Sequence, residues 1–324
     1  MDFADLKATV IVCAYTERRW DDLEKCLTSI FGQSCKPDEV IVVIDHNPVL
    51  FQRAQGKFSE IKVIENHYER GLSGARNSAI DIAVGEVIAF MDEDAFAAPD
   101  WLSTLLSAFS DSNVMGVGGA IHPTWDTQRP PWFPEEFDWV VGCTYRGLPE
   151  AAAPVRNLIG CNMAFRREVF SAVGNFQVGM GRIGTLPLGC EETELCIRAR
   201  QRWPEKVFLY EPRAGVFHRV PGSRANARYF FSRCYSEGIS KALVSQLVGV
   251  GDGLSSERVY TMKVLPLGAL RGLMRFITKF QLAGLGESFA IVGGLLVTTT
   301  GYVAGLISNL FRPKLRGKDS QPVV

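Results

Sequence analysis

The N-terminal third of the chain alternates continuous apolar runs with runs of helical spacing. Continuous apolar runs bounded by polar residues are typical of strands that are buried on both faces. They occur at 8–14, 39–45, 62–66 and 86–92. Apolar residues three and four positions apart, which predict helices, occur at 21–33, 73–85 (closed by Gly85) and 99–109. This alternation predicts an α/β fold with a mostly parallel sheet that helices cover on both faces.

Polar residues follow each of the four predicted strands. They are Tyr15–Glu17, Asp45–Asn47, Asn66 and Asp92–Asp94. Ligands of parallel sheets bind beyond the carboxyl ends of the strands. This edge of the sheet is therefore the predicted functional site.

The segment 115–165 is less regular and is rich in aromatic residues and prolines. It either lines an acceptor pocket or covers an edge of the sheet, and the sequence does not choose between the two. Trp132 within it and Asn162 near its end are the candidate acceptor contacts. Beyond it, the pattern predicts a strand leading into a helix, then a helix, then two strands joined by a turn, at 162–174, 189–203 and 207–220.

The segment 263–280 combines a cationic stripe with an apolar side. Arg271, Arg275 and Lys279 lie four positions apart, so they share one face of a helix. The apolar side consists of Leu267, Leu270, Leu273, Met274, Ile277 and Phe280. This pattern predicts a helix that lies in a membrane surface, with docking on the protein's own body as the alternative.

Residues 288–311 contain no charged side chain over 24 positions. At ~1.5 Å per residue, such a helix spans a bilayer core of about 30 Å, so membrane insertion is predicted. A re-entrant hairpin and a buried helix pair are the alternatives. Basic residues stand on both flanks, including 312–318, and the positive-inside rule places both flanks in the cytoplasm. A hairpin satisfies that rule, whereas a single span does not.

Charge separates this tail from the rest of the chain. Among 324 residues, 35 Lys/Arg balance 35 Asp/Glu, yet residues after 258 carry eight Lys/Arg against two Asp/Glu. An apolar tail with net charge +6, on a body of −6, indicates a lipid surface as its partner. No feature indicates a nucleic acid partner. We predict a domain over 1–258, divided near 115–116, and a membrane-associating tail over 259–324.

The cysteines and the N-terminus indicate a reducing compartment. Eight cysteines are present without a CxxC pair, and several lie in apolar runs, which is typical of small buried hydrophobic residues. The first ten residues have neither a basic start nor a long apolar run, so no signal peptide is expected. The body is therefore expected to stay in the cytoplasm.

The stretch FMDEDA, residues 90–95, places acids directly after a buried strand. Residues two apart in a strand share a side, so Asp92 and Asp94 are expected to point into the cleft and Glu93 away from it. Two hard oxygen ligands beside an open edge suit Mg²⁺ or Mn²⁺. The alternative is a solvated acidic loop.

Two further motifs carry candidate chemistry, each with a structural alternative. In RGLSGARN, residues 70–77, small side chains allow a ligand to approach the backbone, and Arg76 can contact phosphate or ribose near a helix start. The alternative is a helix start that Ser73 merely caps. In GCEETEL, residues 189–195, Glu191 and Glu192 either complement a helix dipole or supply a general base.

His218 follows the strand-like sequence GVF. A single histidine is most often structural. Beside Asp94 and a diphosphate, however, it becomes a candidate third metal ligand.

These motifs together resemble family-2 glycosyltransferases of the GT-A fold. AYTE, ID, GLSGARN, MDEDA, CNMAFRREVF, GCEETELCIR and VFH occur in the family's order over roughly 8–220. The resemblance implies a Rossmann-like sheet, with a nucleotide-sugar half over about 1–115 and an acceptor half over about 116–258. It also implies transfer of a sugar from a nucleotide diphosphate to an acceptor hydroxyl by one inverting displacement that depends on Mg²⁺ or Mn²⁺.

The resemblance also assigns roles to single residues. Ala14, Tyr15 and Glu17 stand where the family grips the nucleoside, Asp45 where it reads the base, and Arg76 where a loop contacts the nucleotide. Asp92 and Asp94 form the DxD motif, Asp94 being the better candidate for direct metal contact, and His218 matches a histidine near the metal in some members. Glu191–Glu192 matches a Glu-Asp pair whose second member is usually the base, and Glu in place of Asp leaves that choice open.

The predicted tail indicates the kind of acceptor and the location of the protein. A sugar linked to polyprenyl phosphate, or another lipid-linked glycan, would explain an amphipathic helix and an apolar segment on a cytoplasmic enzyme at the cell membrane. A non-catalytic binding module tethered to the membrane is one alternative. A nucleotidyltransferase is another, although AYTERRW lacks the Gly-rich loop that such enzymes place after the first strand.

Overall fold

Strands and helices alternate through the first part of the chain, as the apolar pattern predicts. The structure, a computed structural model, describes residues 6–182 and 188–310. Its first elements are β1 (Ala8–Ala14), α1 (Trp20–Phe31), β2 (Glu39–Ile44), α2 (Pro48–Lys57), β3 (Lys62–Glu65), α3 (Leu72–Ile80), β4 (Val87–Asp92), β5 (Ala95–Ala97) and α4 (Trp101–Ala108). Of these, α2 and β5 were not predicted.

The second part is longer and less repetitive. Its elements are β6 (Val114–Trp125), β7 (Ala153–Val155), β8 (Asn162–Arg166), α5 (Arg167–Val173), α6 (Glu191–Arg202), β9 (Val207–Val220), α7 (Ala227–Val248), α8 (Val250–Gly253), α9 (Ser255–Val259), α10 (Leu265–Lys279) and α11 (Leu282–Leu310). Short 3-10 helices cover Glu17–Arg19, Glu135–Val141 and Gly222–Arg224, and a π-helical turn covers Tyr260–Val264.

One sheet joins all nine strands in the order β3-β2-β1-β4-β8-β6-β9-β5, with β7 beside β9. The first four strands in this order are parallel, and Cys13 of β1 pairs with Asp92 of β4. Beyond them β8 runs antiparallel to both β4 and β6, whereas β9 is parallel to β6. The α/β class is confirmed, but the sheet is parallel only in its N-terminal half and mixed in the other. The predicted division near 115–116 falls at the start of β6 and stays a prediction.

The core lies on both faces of this sheet. Val10 and Val12 belong to one apolar cluster, and Ile11, between them, belongs to the other. Successive residues of a strand point to opposite faces. A strand with helices on both sides must therefore be apolar at every position, which explains the uninterrupted runs in the sequence.

Three predicted boundaries differ in the structure. Helix α3 ends at Ile80, before Gly85, whose N–H donates to Thr9 Oγ1 at 2.9 Å, so Gly85 serves close packing rather than a helix end. The segment 115–165 is not irregular throughout, because it contains most of β6. Residues 207–220 form one strand, and the predicted turn is an irregularity where β9 bulges between the pairs Gly119↔Glu211 and Ile121↔Val216.

The tail forms a helical hairpin on α7. Close packing of α11 on α7 depends on Gly238 and Gly301, where an added Cβ would collide with the carbonyl oxygens of Thr298 and Tyr235. Gly272 and Gly284 allow the same close approach between α10 and α11. Over Leu282–Ser308, α11 is long and apolar enough to cross a membrane by length and composition. Residues 312–318, whose charges entered the prediction on topology, lie outside the described residues.

The predicted cationic stripe of α10 is mostly engaged within the protein. Arg271 donates to Glu136 at 3.0 Å, and Arg275 pairs with Glu287. The predicted apolar side chains are exposed, including Leu267 at 62 % and, directly after α10, Phe280 at 84 %. Arg271 therefore connects α10 to the body and Arg275 connects it to α11, whereas these apolar side chains face outward. All eight cysteines are free and seven are buried, which confirms their predicted role in packing.

Candidate active site

One cavity of about 820 Å³ opens at the carboxyl ends of β1, β2 and β4. Nine residues singled out from the sequence lie on its wall. They are Ala14, Tyr15, Asp45, Arg76, Asp92, Asp94, Glu191, Glu192 and His218. The functional site was predicted at the carboxyl ends of the strands, and a cavity lies at this edge of the sheet.

Asp94 and His218 form the centre of this site. His218 Nε2 lies 3.2 Å from Asp94 Oδ1 because β5 pairs with β9 and brings Ala95 opposite His218. Burial alone would lower the pKa of His218, but the neighbouring Asp94 carboxylate raises it to about 10. Burial likewise opposes ionisation of Asp94, but His218 and Arg19 hold its pKa well below the usual range. The two groups form a buried ion pair at neutral pH.

Glu93 does not point away from the site, contrary to the strand-based prediction. Arg19 Nη1 lies 2.6 Å from Glu93 Oε1 and 3.0 Å from Asp94 Oδ2. The reason is that β4 ends at Asp92, so the alternation of a strand does not extend into the turn at Glu93. Burial raises the pKa of Glu93 to about 7. Arg19 was missed by sequence reasoning, although it lies only two residues beyond the polar strand end Tyr15–Glu17.

The donor atoms at this centre suit a divalent cation. Ligand atoms of Asp92, Cys161 and His218 lie within 4.8 Å of one another. Carboxylate oxygens and an imidazole nitrogen are donors that Mn²⁺ accepts. Asp92 and His218 therefore fit the predicted metal-binding role, and Asp94, whose Oδ1 lies 3.2 Å from His218 Nε2, fits it as well. Cys161 was not among the predicted ligands.

Arg76 connects the carboxylates of two motifs. Its Nη1 donates to Glu191 Oε1 at 2.8 Å, its Nη2 lies 3.5 Å from Asp92 Oδ1, and it also donates to the Gly160 carbonyl at 3.0 Å. The side chain is only 2 % exposed. Arg76 therefore holds Glu191 and Asp92 in place at the wall of the cavity.

Glu192 differs from Glu191 in its partners. Burial and the adjacent Glu191 raise the pKa of Glu192 well above the usual range. Glu191 is committed to a buried ion pair with Arg76. A carboxyl with a raised pKa beside a cavity is a candidate for proton transfer, and this contrast distinguishes the two residues where the sequence did not.

The wall of the cavity at the end of β2 is built on Asp45. This carboxylate accepts from the Asn66 side chain at 2.7 Å and from the Gly71 N–H at 3.1 Å. Tyr15 is 39 % exposed beside it. Glu17 is not among the cavity-lining residues; it accepts from Asn47 at 3.1 Å instead.

Neither predicted acceptor contact borders the cavity. Trp132 packs in an aromatic cluster against Phe133 and Phe230. Asn162 is fully buried, where it accepts from Trp101 at 2.7 Å and donates to the Ala120 and Ala214 carbonyls. Both have structural roles, so the acceptor must be sought elsewhere in the cavity.

The half of the cavity beyond Glu192 was missed by sequence reasoning. Its wall includes an ion cluster in which Glu257 Oε2 lies 2.5 Å from Arg156 and Glu257 Oε1 lies 2.6 Å from Lys241. Lys241 also lies 3.2 Å from Glu237, one turn earlier on α7. The spacing of Arg233, Glu237 and Lys241 at four-residue intervals was the available signal for a charged helix face.

Helix α11 closes this half of the cavity. Its lining side chains are Leu295, Thr298, Thr299 and Tyr302. Leu148 and Val155 of the body line the same cavity. The tail is thus part of the site, not an appendage to it.

Comparisons with known proteins agree with this geometry. The model of the family described as Glycosyl transferase family 2 matches residues 9–174. Glucosyl-dolichyl phosphate glucuronosyltransferase of Haloferax volcanii is 31 % identical over 307 residues, which cover 94 % of this chain and 97 % of that protein. Succinoglycan biosynthesis protein ExoM of Rhizobium meliloti is 26 % identical over 169 residues, or 52 % of this chain and 50 % of that protein.

Solved structures show the same fold. Mannosyltransferase PcManGT from Pyrobaculum calidifontis, in complex with GDP-Man and Mn²⁺, has a TM-score of 0.57 at 19 % identity and covers 94 % of this chain and 87 % of its own. GalNAc-T7 with UDP, GalNAc and Mn²⁺ has a TM-score of 0.50 at 16 % identity and covers 79 % and 53 %. The family match, the full-length relative and the shared GT-A fold agree with one another. The chain therefore belongs to glycosyl transferase family 2 and is a glycosyltransferase.

Proposed function

We propose that the protein transfers a sugar from a nucleotide diphosphate donor to a hydroxyl of a lipid-linked glycan at the cytoplasmic face of a membrane. The observation that carries this proposal is the course of the cavity. Its wall includes both the Asp94–His218 pair and the tail helix α11, and Glu192 lies near charged groups of both parts, Arg76 and Glu237. Donor and acceptor therefore have separate halves of one chamber, with a carboxylate between them.

The donor half suits a nucleotide diphosphate. Tyr15 offers an aromatic face to a base, and Asp45 offers carboxylate oxygens to donors on the base edge. The solved neighbours carry GDP-Man or UDP together with Mn²⁺, which supports the same donor class here. Which sugar is transferred is decided by side chains that face the sugar itself.

Asp92, Asp94 and His218 would hold a divalent cation in this half. When bound, such a cation neutralises charge on the diphosphate leaving group. Arg19 already lies at the same carboxylates, as does Arg224, 3.9 Å from Asp94. These cations place positive charge where the leaving group becomes negative, which is the electrostatic requirement of the reaction.

Glu192 is the residue that takes the proton of the acceptor hydroxyl. As the acceptor oxygen bonds to the anomeric carbon, the bond from that carbon to the donor phosphate oxygen breaks, and the hydroxyl proton passes to Glu192. A single displacement inverts the anomeric configuration. The raised pKa of Glu192 makes it a stronger base, once ionised, than an ordinary carboxylate.

The acceptor half suits a phosphate on an apolar chain. Three cations, Arg156, Arg233 and Lys241, face two carboxylates, Glu237 and Glu257, so the cluster is net positive. Apolar side chains line the same cavity, including Leu148, Val155 and Leu295. The Haloferax volcanii relative acts, by its name, on glucosyl-dolichyl phosphate, which has this combination of an anion and an apolar chain.

The exposed apolar surface of the tail supports a position of the acceptor half at a membrane. Leu267, Leu270, Ile277 and Phe280 of α10 are each more than half exposed. Contiguous apolar patches of this kind are typical of membrane or protein contacts. A lipid-linked acceptor requires the enzyme to work at such a surface.

Transfer from radiolabelled nucleotide sugars to polyprenyl-phosphate-linked sugars tests the proposal. Wild type, Glu192→Gln and Glu191→Gln are compared with Mn²⁺ present, and the anomeric configuration of the product is read by NMR. We expect an inverted product from wild type, and donor binding without transfer in Glu192→Gln. Donor binding without transfer in the wild type, with every acceptor tried, would instead indicate a binding module.

A further inference from the structure

Helix α11 meets the length and composition of a membrane span, yet it is packed lengthwise on α7. Gly301 lies against the Tyr235 backbone, and Gly305 lies against Ala242, where an added Cβ would collide with that side chain. With Gly238 beneath Thr298, these contacts extend over two turns of both helices. The helices approach as closely as backbone atoms allow.

The first half of α11 is held as firmly. Ser288 Oγ donates to the Ala269 carbonyl of α10 at 2.8 Å. Gly286 lies against Trp132, and Gly294 lies against the rings of Phe137 and Phe230. Contacts with the body therefore run from Gly286 to Gly305. The aromatic segment, which was a candidate lining of an acceptor pocket, instead packs against α11 through Trp132 and Phe137.

The partner helix α7 cannot follow α11 across a bilayer. It carries Arg233, Glu237 and Lys241, which are joined to Glu257 and Arg156 in the acceptor half of the cavity. Ionised groups at the centre of a bilayer are costly and rare. If α11 crossed the membrane, it would have to leave α7 and remove one wall of the cavity.

The outer face of α11 is apolar and has no partner among the described residues. Its exposed members are Phe289, Val292, Leu296, Val303 and Ile307, which are 48–69 % exposed and share one helical face. The neighbouring α10 adds its exposed apolar side. Exposed Lys263 and Lys279 flank α10, which contains no acidic residue. An apolar surface bordered by lysines fits one leaflet of a bilayer with anionic headgroups.

We infer that α11 lies in one leaflet without crossing the membrane, and that its inner face is the fixed wall along which the lipid chain of the acceptor enters the cavity. The position of α11 rests on its packing alone. The entry of a lipid chain rests on the proposed function. The two parts can fail separately, and two experiments separate them.

Labelling of the two ends of α11 tests its position. Gln281→Cys and Ser308→Cys, both at exposed positions, are made separately in a Cys35→Ser chain, because the other seven cysteines are buried. Inverted membrane vesicles, whose cytoplasmic face is outward, are treated with a membrane-impermeant maleimide. Gly56→Cys, on an exposed site of α2, serves as the reference for the body. We expect all three to be labelled without detergent. If either end of α11 needs detergent while the reference does not, the inference is wrong.

Substitution at the α7–α11 contact tests whether the inner face of α11 is the wall along which the lipid chain enters. Gly301→Leu forces the helices apart, whereas Thr300→Leu adds the same side chain at the neighbouring exposed position. We expect Gly301→Leu to lower transfer to a polyprenyl-phosphate-linked sugar about 100-fold, as misplacement near a reacting centre does, and Thr300→Leu to retain it. UDP or GDP with Mn²⁺ should raise the melting temperature of both variants equally, which shows an intact donor half.

Each outcome of that comparison has a meaning. Unchanged transfer by Gly301→Leu would show that the inner face of α11 is not the wall along which the lipid chain enters. The proposed function would still stand. Absence of transfer by the wild type overturns the proposed function, whereas the labelling result remains valid. If Gly301→Leu loses nucleotide binding as well, the variant has lost its fold, and Gly305→Ala, a smaller intrusion at the same contact, decides.

Discussion

His218 Nε2 lies 3.2 Å from Asp94 Oδ1, and both side chains are about 95 % removed from solvent. The pair makes the stability of the metal-free protein depend on pH. The pKa of His218 is raised from 6.5 to about 10 in the folded protein. A raised pKa of a base contributes stability that is fully present below the unfolded pKa and is lost as pH rises through the folded one.

We therefore expect the metal-free protein to lose stability between pH 6.5 and about pH 10. Denaturant unfolding in EDTA at several pH values measures this. His218→Gln should remove this part of the pH dependence, and Asp94→Asn should remove it as well, because burial without the carboxylate no longer favours the imidazolium. A steep loss of stability that persists in both variants would show that other groups cause it.

The two glutamates at the start of α6 are expected to differ in their effect on turnover. Glu192→Gln should lower transfer by about 10²–10⁴-fold, the usual contribution of a general base. Donor affinity should remain. Glu191→Gln removes the partner of Arg76, so it should disturb donor binding as well as turnover.

The pH profile of transfer provides a second readout for Glu192. Because its pKa is raised, the wild-type rate should fall with decreasing pH well before an ordinary carboxyl at 4.5 would protonate. The residual rate of Glu192→Gln should lack this dependence. Equal pH profiles in the two proteins would exclude Glu192 as the base.

The sequence predicted the donor half of the site well because its signals are local. Ala14, Asp45 and Asp92 stand at the ends of buried parallel strands, and parallel strands bring their carboxyl ends together. His218, a candidate from its place after a strand-like sequence and from the resemblance, also lies in the site, but its position depends on the pairing of β9 with β5, a strand that was not predicted. Glu93 was misplaced because the strand ends one residue before it.

The acceptor half could not be predicted because it forms between elements distant in sequence. Arg156, Lys241 and Glu257 meet only when α7 and α9 pack on the loop before β8. The apolar pattern of α7 is weak, since it packs on the body, on α11 and against a charged cavity at once. Trp132 was selected for its aromatic ring, but such a ring serves packing as readily as recognition.

The Arg156–Glu257–Lys241 cluster is expected to fasten α9, which leads into the tail, to α7 and the loop before β8. Removing one member of a buried ion pair leaves an uncompensated charge, at a cost of about 3–5 kcal/mol. Glu257→Gln should therefore lower the free energy of unfolding by roughly that amount, because Arg156 and Lys241 both lose this partner. Adding Lys241→Met should restore part of the loss, because it removes one of the two cations left without Glu257.

The stabilising contribution of the same cluster is expected to be lost as pH falls. Burial opposes ionisation of Glu257, but Lys241 and Arg156 lower its pKa to about 2. Its contribution is present above the ordinary pKa of 4.5 and is lost as pH falls from there toward 2. Unfolding of wild type and Glu257→Gln between pH 7 and pH 3 checks this, and the two curves should converge in acid. Parallel curves would mean that Glu257 is not ionised in the folded protein.

Binding of Mn²⁺ is expected to release a proton from His218. The imidazole is protonated at neutral pH because Asp94 raises its pKa to about 10. A metal ligand must be deprotonated, so affinity should increase about tenfold per pH unit below that pKa. Calorimetric titrations at pH 6.5 and 7.5, in buffers of different ionisation enthalpy, measure both the affinity and the proton released. His218→Gln should bind Mn²⁺ more weakly and without this proton release. If wild-type affinity is independent of pH, the cation is held by Asp92 and Asp94 while His218 keeps its proton, and the histidine acts on Asp94 rather than as a ligand.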